Sequence, residues 1–150
     1  MPVVTEQFDL KSTDPDLVFE RLSQLDRYPE IAPSVLSVLL EDTAEGVVSE
    51  WEVEFRGGTM RWREADVFDA EARTYRFAQI EGDVHELRGQ WRVVADGDSV
   101  SLQLEIDFDL GMPSLADLVD PVAERALIDN MRAIAHAVDA ECVAAAGAGR

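Results

Sequence analysis

The chain has 150 residues, 47% hydrophobic and 29% charged, which is enough for one domain with its own core. Thirty-one acidic against thirteen basic residues give a formal net charge of −18. That argues against nucleic acid and anionic membrane surfaces, since both select positive patches. No apolar run is long enough to span a bilayer and MPVVTEQFDL does not read as a signal peptide, so a cytoplasmic location is expected.

The single Cys142 excludes an internal disulfide and a cysteine-based zinc site. Lys11 is the lone lysine, leaving little scope for Schiff-base chemistry. No repeat or linker interrupts the chain, so residues 1–150 are expected to form one domain with a frayed Ala144-Ala-Gly-Ala-Gly-Arg150 tail.

In chain order, VVTEQFDLK predicts a first strand. Thr13-Asp-Pro-Asp-Leu-Val-Phe-Glu-Arg-Leu22 predicts a helix start, with Thr13 or Asp14 as cap and Pro15 in the first turn. Leu17, Val18, Leu22 and Leu25 form its apolar stripe. Tyr28-Pro-Glu-Ile-Ala-Pro33 predicts a second short helix or turn. Six strands are then expected: Val35 to Thr43, Val47 to Phe55, Met60 to Phe68, Thr74 to Glu81, His85 to Val94 and Ser99 to Leu110. Short alternating strands joined by turns define an antiparallel meander.

After Gly111-Met112-Pro113, Ser114-Leu-Ala-Asp117 resembles a capping box, and Asp120-Pro121 offers a second cap where the helix bends or restarts. Val122, Leu127, Met131, Ile134 and Val138 then recur at helical spacing. The layout is α+β: one curved antiparallel sheet wrapped around a long C-terminal helix. Met112, Pro113, Leu115 and Leu118 stand where a mouth would form beside the turn at Gly82-Asp83; a capped helix start is the plain alternative.

Strand parity assigns the faces. Pairing Phe55 with Met60 places Glu54 opposite Arg61 and Glu52 opposite Arg63, as a solvated face would. The other face then carries Trp51, Val53 and Phe55 against Glu64, Trp62 and Met60. Leu87, Gly89, Trp91 and Val93 share a face with Val100, Leu102, Leu104 and Ile106, and Tyr75, Phe77, Gln79 and Glu81 fall together on the strand between. The tryptophan face is therefore expected inside, with Glu64 and Asp66 beside it. Gln79 joins them, and His85 stands at a turn, where a solvated histidine is the plain reading. Unpaired carboxylates are costly in a dry core, so a water-accessible cavity between sheet and helix is expected.

Tyr28-Pro29-Glu30, Trp62 before Arg73-Thr74, Glu81-Gly82, Gly89-Gln-Trp91-Arg92, Phe108-Asp-Leu110 and Asp120-Pro-Val122 occur in an order that resembles the START-like (SRPBCC) helix-grip superfamily, in its polyketide cyclase/dehydrase and coenzyme-Q-binding branch. The resemblance implies a cavity for an apolar or aromatic small molecule and, in aromatase/cyclases, aldol closure with loss of water. It also places Asp66 where those enzymes carry a cavity arginine, and Val35 where they carry a cavity tyrosine, so their mechanism does not transfer intact.

Two carboxylates close together in low dielectric titrate apart, one keeping its proton as acid and one serving as base. Glu64 and Asp66 are the candidate catalytic pair; the alternative is a rim position, solvated or paired with arginine. Trp51, Trp62, Phe77, Trp91 and Met131 are the candidates to shape the cavity, with simple core packing as the alternative. Tyr75, Gln79 and His85 are the candidates to bond a ligand oxygen. No cofactor or metal is expected: two histidines in no cluster do not make a metal site, and no phosphate-binding glycine loop occurs. A hydrophobic ligand is the expected partner, carried without chemistry if the carboxylates are structural. A homodimer and a carrier protein delivering substrate stay open, an acidic carrier requiring a local arginine patch.

Overall fold

The period-two alternation from Val35 onward is realised as a meander. The computed structural model describes residues 3–44, 46–55, 58–109 and 116–148, and the backbone alone for residues 3, 55, 116–124, 147 and 148. Strand β1 (Val3–Asp9) leads into helix α1 (Pro15–Leu22), one 3-10 turn (Leu25–Arg27) and the four-residue α2 (Tyr28–Ile31). Then come β2 (Val35–Thr43), β3 (Gly46–Phe55), β4 (Gly58–Asp69), β5 (Thr74–Gly82), β6 (Glu86–Asp96) and β7 (Ser99–Asp109), followed by α3 (Ala116–Ala148). The strands form one antiparallel sheet in the order β1-β7-β6-β5-β4-β3-β2.

Asp14 caps α1 by accepting from the Leu17 N–H at 3.2 Å, and Pro15 follows at the position that needs no N–H. The stripe of α1 buries Val18 and Leu22, with Leu25 from the next turn beneath them. From α3, Leu127, Met131, Ile134, Ala135, Val138 and Cys142 are buried in the core. Each large apolar side chain so buried contributes about 1.5–3 kcal/mol. Buried Asp139 on α3 accepts from the Lys11 and Ser12 N–H groups at 2.9 Å each, tying the β1–α1 connection to the helix. Asn130 Nδ2 donates to Glu54 O at 3.1 Å and ties the helix to β3. At Gly97 the β6–β7 turn takes φ 61°, which glycine adopts without strain.

Several expectations need correction. The β3–β4 hairpin is tighter: Phe55 faces Gly58, so Glu52 opposes Arg61 and Glu50 opposes Arg63. A slip of two residues preserves every face, because side chains alternate with period two. Glu81 is not on the inner face. A bulge between Arg63 and Glu64 leaves Ile80 unpaired and sets Glu81 opposite Arg63, so Glu81 is exposed. His85 precedes β6 rather than opening it. The helix α3 runs unbroken through Pro121; a proline near a helix start removes a single backbone bond. Ser114 of the expected capping box and the mouth residues Met112, Pro113 and Leu115 lie outside the described residues, as do the side chains of Leu118 and Val122. No helix among the described residues is long and apolar enough to cross a membrane.

Candidate functional site

The register that sets Trp51 opposite Trp62 stacks the two indoles, with centroids 5.4 Å apart and planes 7° from parallel. Tyr28 from α2 meets Trp51 edge-on at 5.5 Å. Residues two apart on a strand share a face, so each indole N–H meets a polar neighbour on its own strand. Trp51 Nε1 donates to Ser49 Oγ at 2.8 Å, and Trp62 Nε1 donates to Glu64 Oε1 at 2.6 Å. Ser49 Oγ donates in turn to Asp66 Oδ2 at 2.5 Å. From β5, Tyr75 Oη stands 2.6 Å from Glu64 Oε2 and 3.0 Å from Asp66 Oδ1. Ser49, Glu64, Asp66 and Tyr75 are 0%, 2%, 5% and 2% exposed.

Counting protons gives the state of this cluster. A tyrosine hydroxyl carries one proton and donates to one acceptor. Its second short contact therefore needs a proton from a carboxyl group. Two carboxylates in one dry site do not both ionise, so one proton on the pair satisfies both contacts. Burial, then the neighbouring Asp66 carboxyl, push the Glu64 carboxyl well above the ordinary glutamate range; the contacts with Trp62 and Tyr75 oppose this. The proton then sits on Glu64, which donates to Tyr75 Oη, and Tyr75 donates to Asp66 Oδ1. Burial, followed by the charges of Glu64 and Asp66, raises the Tyr75 and Tyr28 hydroxyls, so both stay protonated. The Tyr28 hydroxyl donates to Leu22 O at 2.5 Å.

A cavity of about 30 Å³ opens beside this cluster. Tyr28, Trp51, Trp62, Tyr75, Phe77 and Trp91 give it aromatic walls, Val35, Val53, Met60 and Leu87 fill between them, and α3 closes it with Leu127, Asn130, Met131 and Ile134. Glu64 is the only carboxyl residue among the described lining residues, and no basic side chain is among them. Gly82 gives Trp62 its place, since a Cβ there would stand 2.5 Å from the Trp62 Cβ.

Of the sequence-predicted residues, Glu64, Trp51, Trp62, Tyr75, Phe77, Trp91 and Met131 line the cavity. Asp66 belongs to the cluster but is not on the cavity wall. The carboxylates are not at a rim and pair with no arginine among the described residues; their partners there are the Trp62 indole, Ser49 and Tyr75. Gln79 and His85 lie off the cavity. Gln79 donates to Val84 O at 2.9 Å, and the His85 side chain is exposed at the turn before β6. Sequence reasoning missed Ser49 and Tyr28. Extending the inward row Phe55, Val53, Trp51 by one more step reaches Ser49, so that signal was present. Tyr28 depends on how α2 folds back, and its sequence carries no mark of this.

A curved antiparallel sheet closed over a long helix, with an aromatic cavity between them, is the helix-grip arrangement of the START-like (SRPBCC) superfamily. The chain belongs to the family described as polyketide cyclase / dehydrase and lipid transport, whose model matches residues 12–135. Among solved structures, protein TTHA0849 of Thermus thermophilus matches with a TM-score of 0.85 at 22% identity, over 96% of this chain and 99% of that one. The Zhui aromatase/cyclase of a Streptomyces species matches with a TM-score of 0.79 at 20% identity, over 94% and 93%. Major latex-like protein 151 of Panax ginseng matches with a TM-score of 0.76 at 19% identity, over 93% and 96%. At these identities the likeness is one of fold. No curated protein matches the chain.

Proposed function

We propose that this chain binds an apolar or aromatic carbonyl compound in the cavity and catalyses its cyclisation or dehydration by carboxylate acid–base chemistry. The observation that carries this reading is a buried carboxyl pair bridged by Tyr75, one member of which, Glu64, stands on the wall of an aromatic cavity. Such a pair keeps an acid and a base side by side at neutral pH. In a β-hydroxy ketone, Glu64 gives its proton to the departing hydroxyl, which leaves as water. The α-proton passes to Tyr75 Oη while the Tyr75 proton passes to Asp66 Oδ1, and a carbon–carbon double bond forms. Asp66 then returns the proton through Tyr75 to Glu64. Asp66 thus acts as base through Tyr75, one layer behind the position expected for direct contact.

The family membership and the aromatase/cyclase of similar fold support this reading. Its test is dehydration of the benzaldehyde–acetone aldol adduct to benzylideneacetone, followed by the enone's ultraviolet absorbance. Wild type turns the adduct over, while Glu64→Gln and Asp66→Asn, folded by circular dichroism, do not. Equal rates in wild type and both variants would refute it.

A non-catalytic carrier of a quinone, lipid or polyketide is the second reading. What favours it is that the groups of the cluster find their hydrogen-bond partners within the protein. It predicts saturable binding of the adduct and no enone.

A further inference from the structure

The donors of the polar cluster are spent inside it. The Trp51 N–H goes to Ser49, the Ser49 O–H to Asp66, and the Trp62 N–H to Glu64. The Tyr75 O–H and the shared carboxyl proton fill the two contacts between Tyr75 and the carboxyl pair. Tyr28, on the same wall, spends its O–H on Leu22 O. What remains facing the cavity are lone pairs: a carboxyl oxygen accepts two hydrogen bonds, and Glu64 Oε1 takes one, from Trp62. Two further donors stand near the space among the described residues: the indole N–H of Trp91 on the sheet side, and the second N–H of Asn130 on the α3 side, whose other N–H is held by Glu54 O.

We infer that the wall at Glu64 recognises a hydrogen-bond donor, so that the ligand is an apolar or aromatic compound carrying a hydroxyl (a phenol, an enol or a β-hydroxy carbonyl) docked through its O–H onto Glu64. A carbonyl oxygen or an ether brought to the same point meets lone pair against lone pair and leaves a buried acceptor unpaired. The inference rests on the cavity of the proposed function, but not on turnover. Where turnover occurs, the carboxyl proton moves from its contact with Tyr75 Oη to the oxygen of the docked hydroxyl, which is then lost as water.

The experiment compares phenol, anisole and benzaldehyde, small aromatic probes of the three kinds; the cavity of about 30 Å³ must widen to admit any of them. Binding is read by titration of the tryptophan indole N–H resonances of the whole chain. The expected result is phenol binding up to ~10-fold tighter than either other probe, the worth of one hydrogen bond. In Glu64→Gln the amide spends one N–H on Tyr75 Oη and turns the other toward the cavity, so the preference shifts toward benzaldehyde. Anisole or benzaldehyde binding to wild type as tightly as phenol overturns the inference while leaving the cavity reading intact. No movement of the Trp51 and Trp62 resonances with any probe removes the cavity reading and the inference with it. The wild-type series decides even if the variant does not fold.

Discussion

Replacing Tyr75 by phenylalanine removes one oxygen and keeps the ring, so the stacking on Phe68 at 4.8 Å and the contact with Phe77 at 5.7 Å survive. The oxygen that goes is the one joining the two carboxyl groups, at 2.6 Å from Glu64 and 3.0 Å from Asp66. A hydrogen bond to a charged acceptor is worth ~1.5–3 kcal/mol, and a buried polar group left without its partner costs ~1–3 kcal/mol. Part of this returns if the carboxyl groups close on each other, so about 3 kcal/mol is the expected loss at neutral pH, a large share of a typical ~5–15 kcal/mol. The assay is urea unfolding followed by tryptophan fluorescence, since Trp51, Trp62 and Trp91 are all buried. The penalty should shrink in acid, where both carboxyl groups are neutral and each supplies a donor. A loss below ~1 kcal/mol at neutral pH, or a penalty that does not shrink in acid, would mean that Tyr75 bridges nothing.

Glu64 gives a second pH test. Its folded carboxyl titrates above the ordinary range, so the stability it contributes is fully present below the unfolded value of about 4.3 and is lost as pH rises through the folded one, at up to ~1.4 kcal/mol per pH unit. The stability of wild type minus that of Glu64→Gln should therefore fall with rising pH over that span; a flat difference would place the proton elsewhere. Asp139→Ala strips two backbone N–H groups of their acceptor and should cost ~2–4 kcal/mol, with amide exchange at Lys11 and Ser12 accelerating; unchanged exchange there would count against the tie. Cys142 is fully buried and its thiol is pushed up to about 11, chiefly by burial. It should react with a disulfide reagent only as fast as the chain opens, and labelling on mixing would contradict the packing of α3.

Most of the fold was legible because strand faces follow parity. The row Trp51, Val53 against Met60, Trp62 lies inside whether the hairpin turns in two residues or four. That indifference also hid the register: the shorter and the longer turn satisfy the same hydrophobic pattern, and both set glutamates opposite arginines. The bulge at Ile80 was invisible for a related reason. An exposed isoleucine and a glutamate at Glu81 look like ordinary alternation until the partner strand shows one residue too many.

The site was legible as a question more than as an answer. Parity placed Glu64 and Asp66 inside with the tryptophans, and the cost of burying carboxylates then called for a wet cavity. The structure resolves that cost differently. Indole, serine and tyrosine groups donate to the pair and one retained proton balances it, so the carboxyl groups have partners within the protein beside a cavity of about 30 Å³. Burial alone therefore does not argue for catalysis, because a structural network of this kind would be equally buried. What separates the two readings is position within the network. A purely structural pair gains nothing from facing empty space, whereas Glu64, the member holding the proton, is the one on the aromatic wall, while Asp66 is held behind it by Ser49 and Tyr75. An acid needs contact with its substrate and a base acting through a hydroxyl does not, so the asymmetry matches an acid–base relay, and exchanging Glu64 and Asp66 should preserve the charge while destroying the relay.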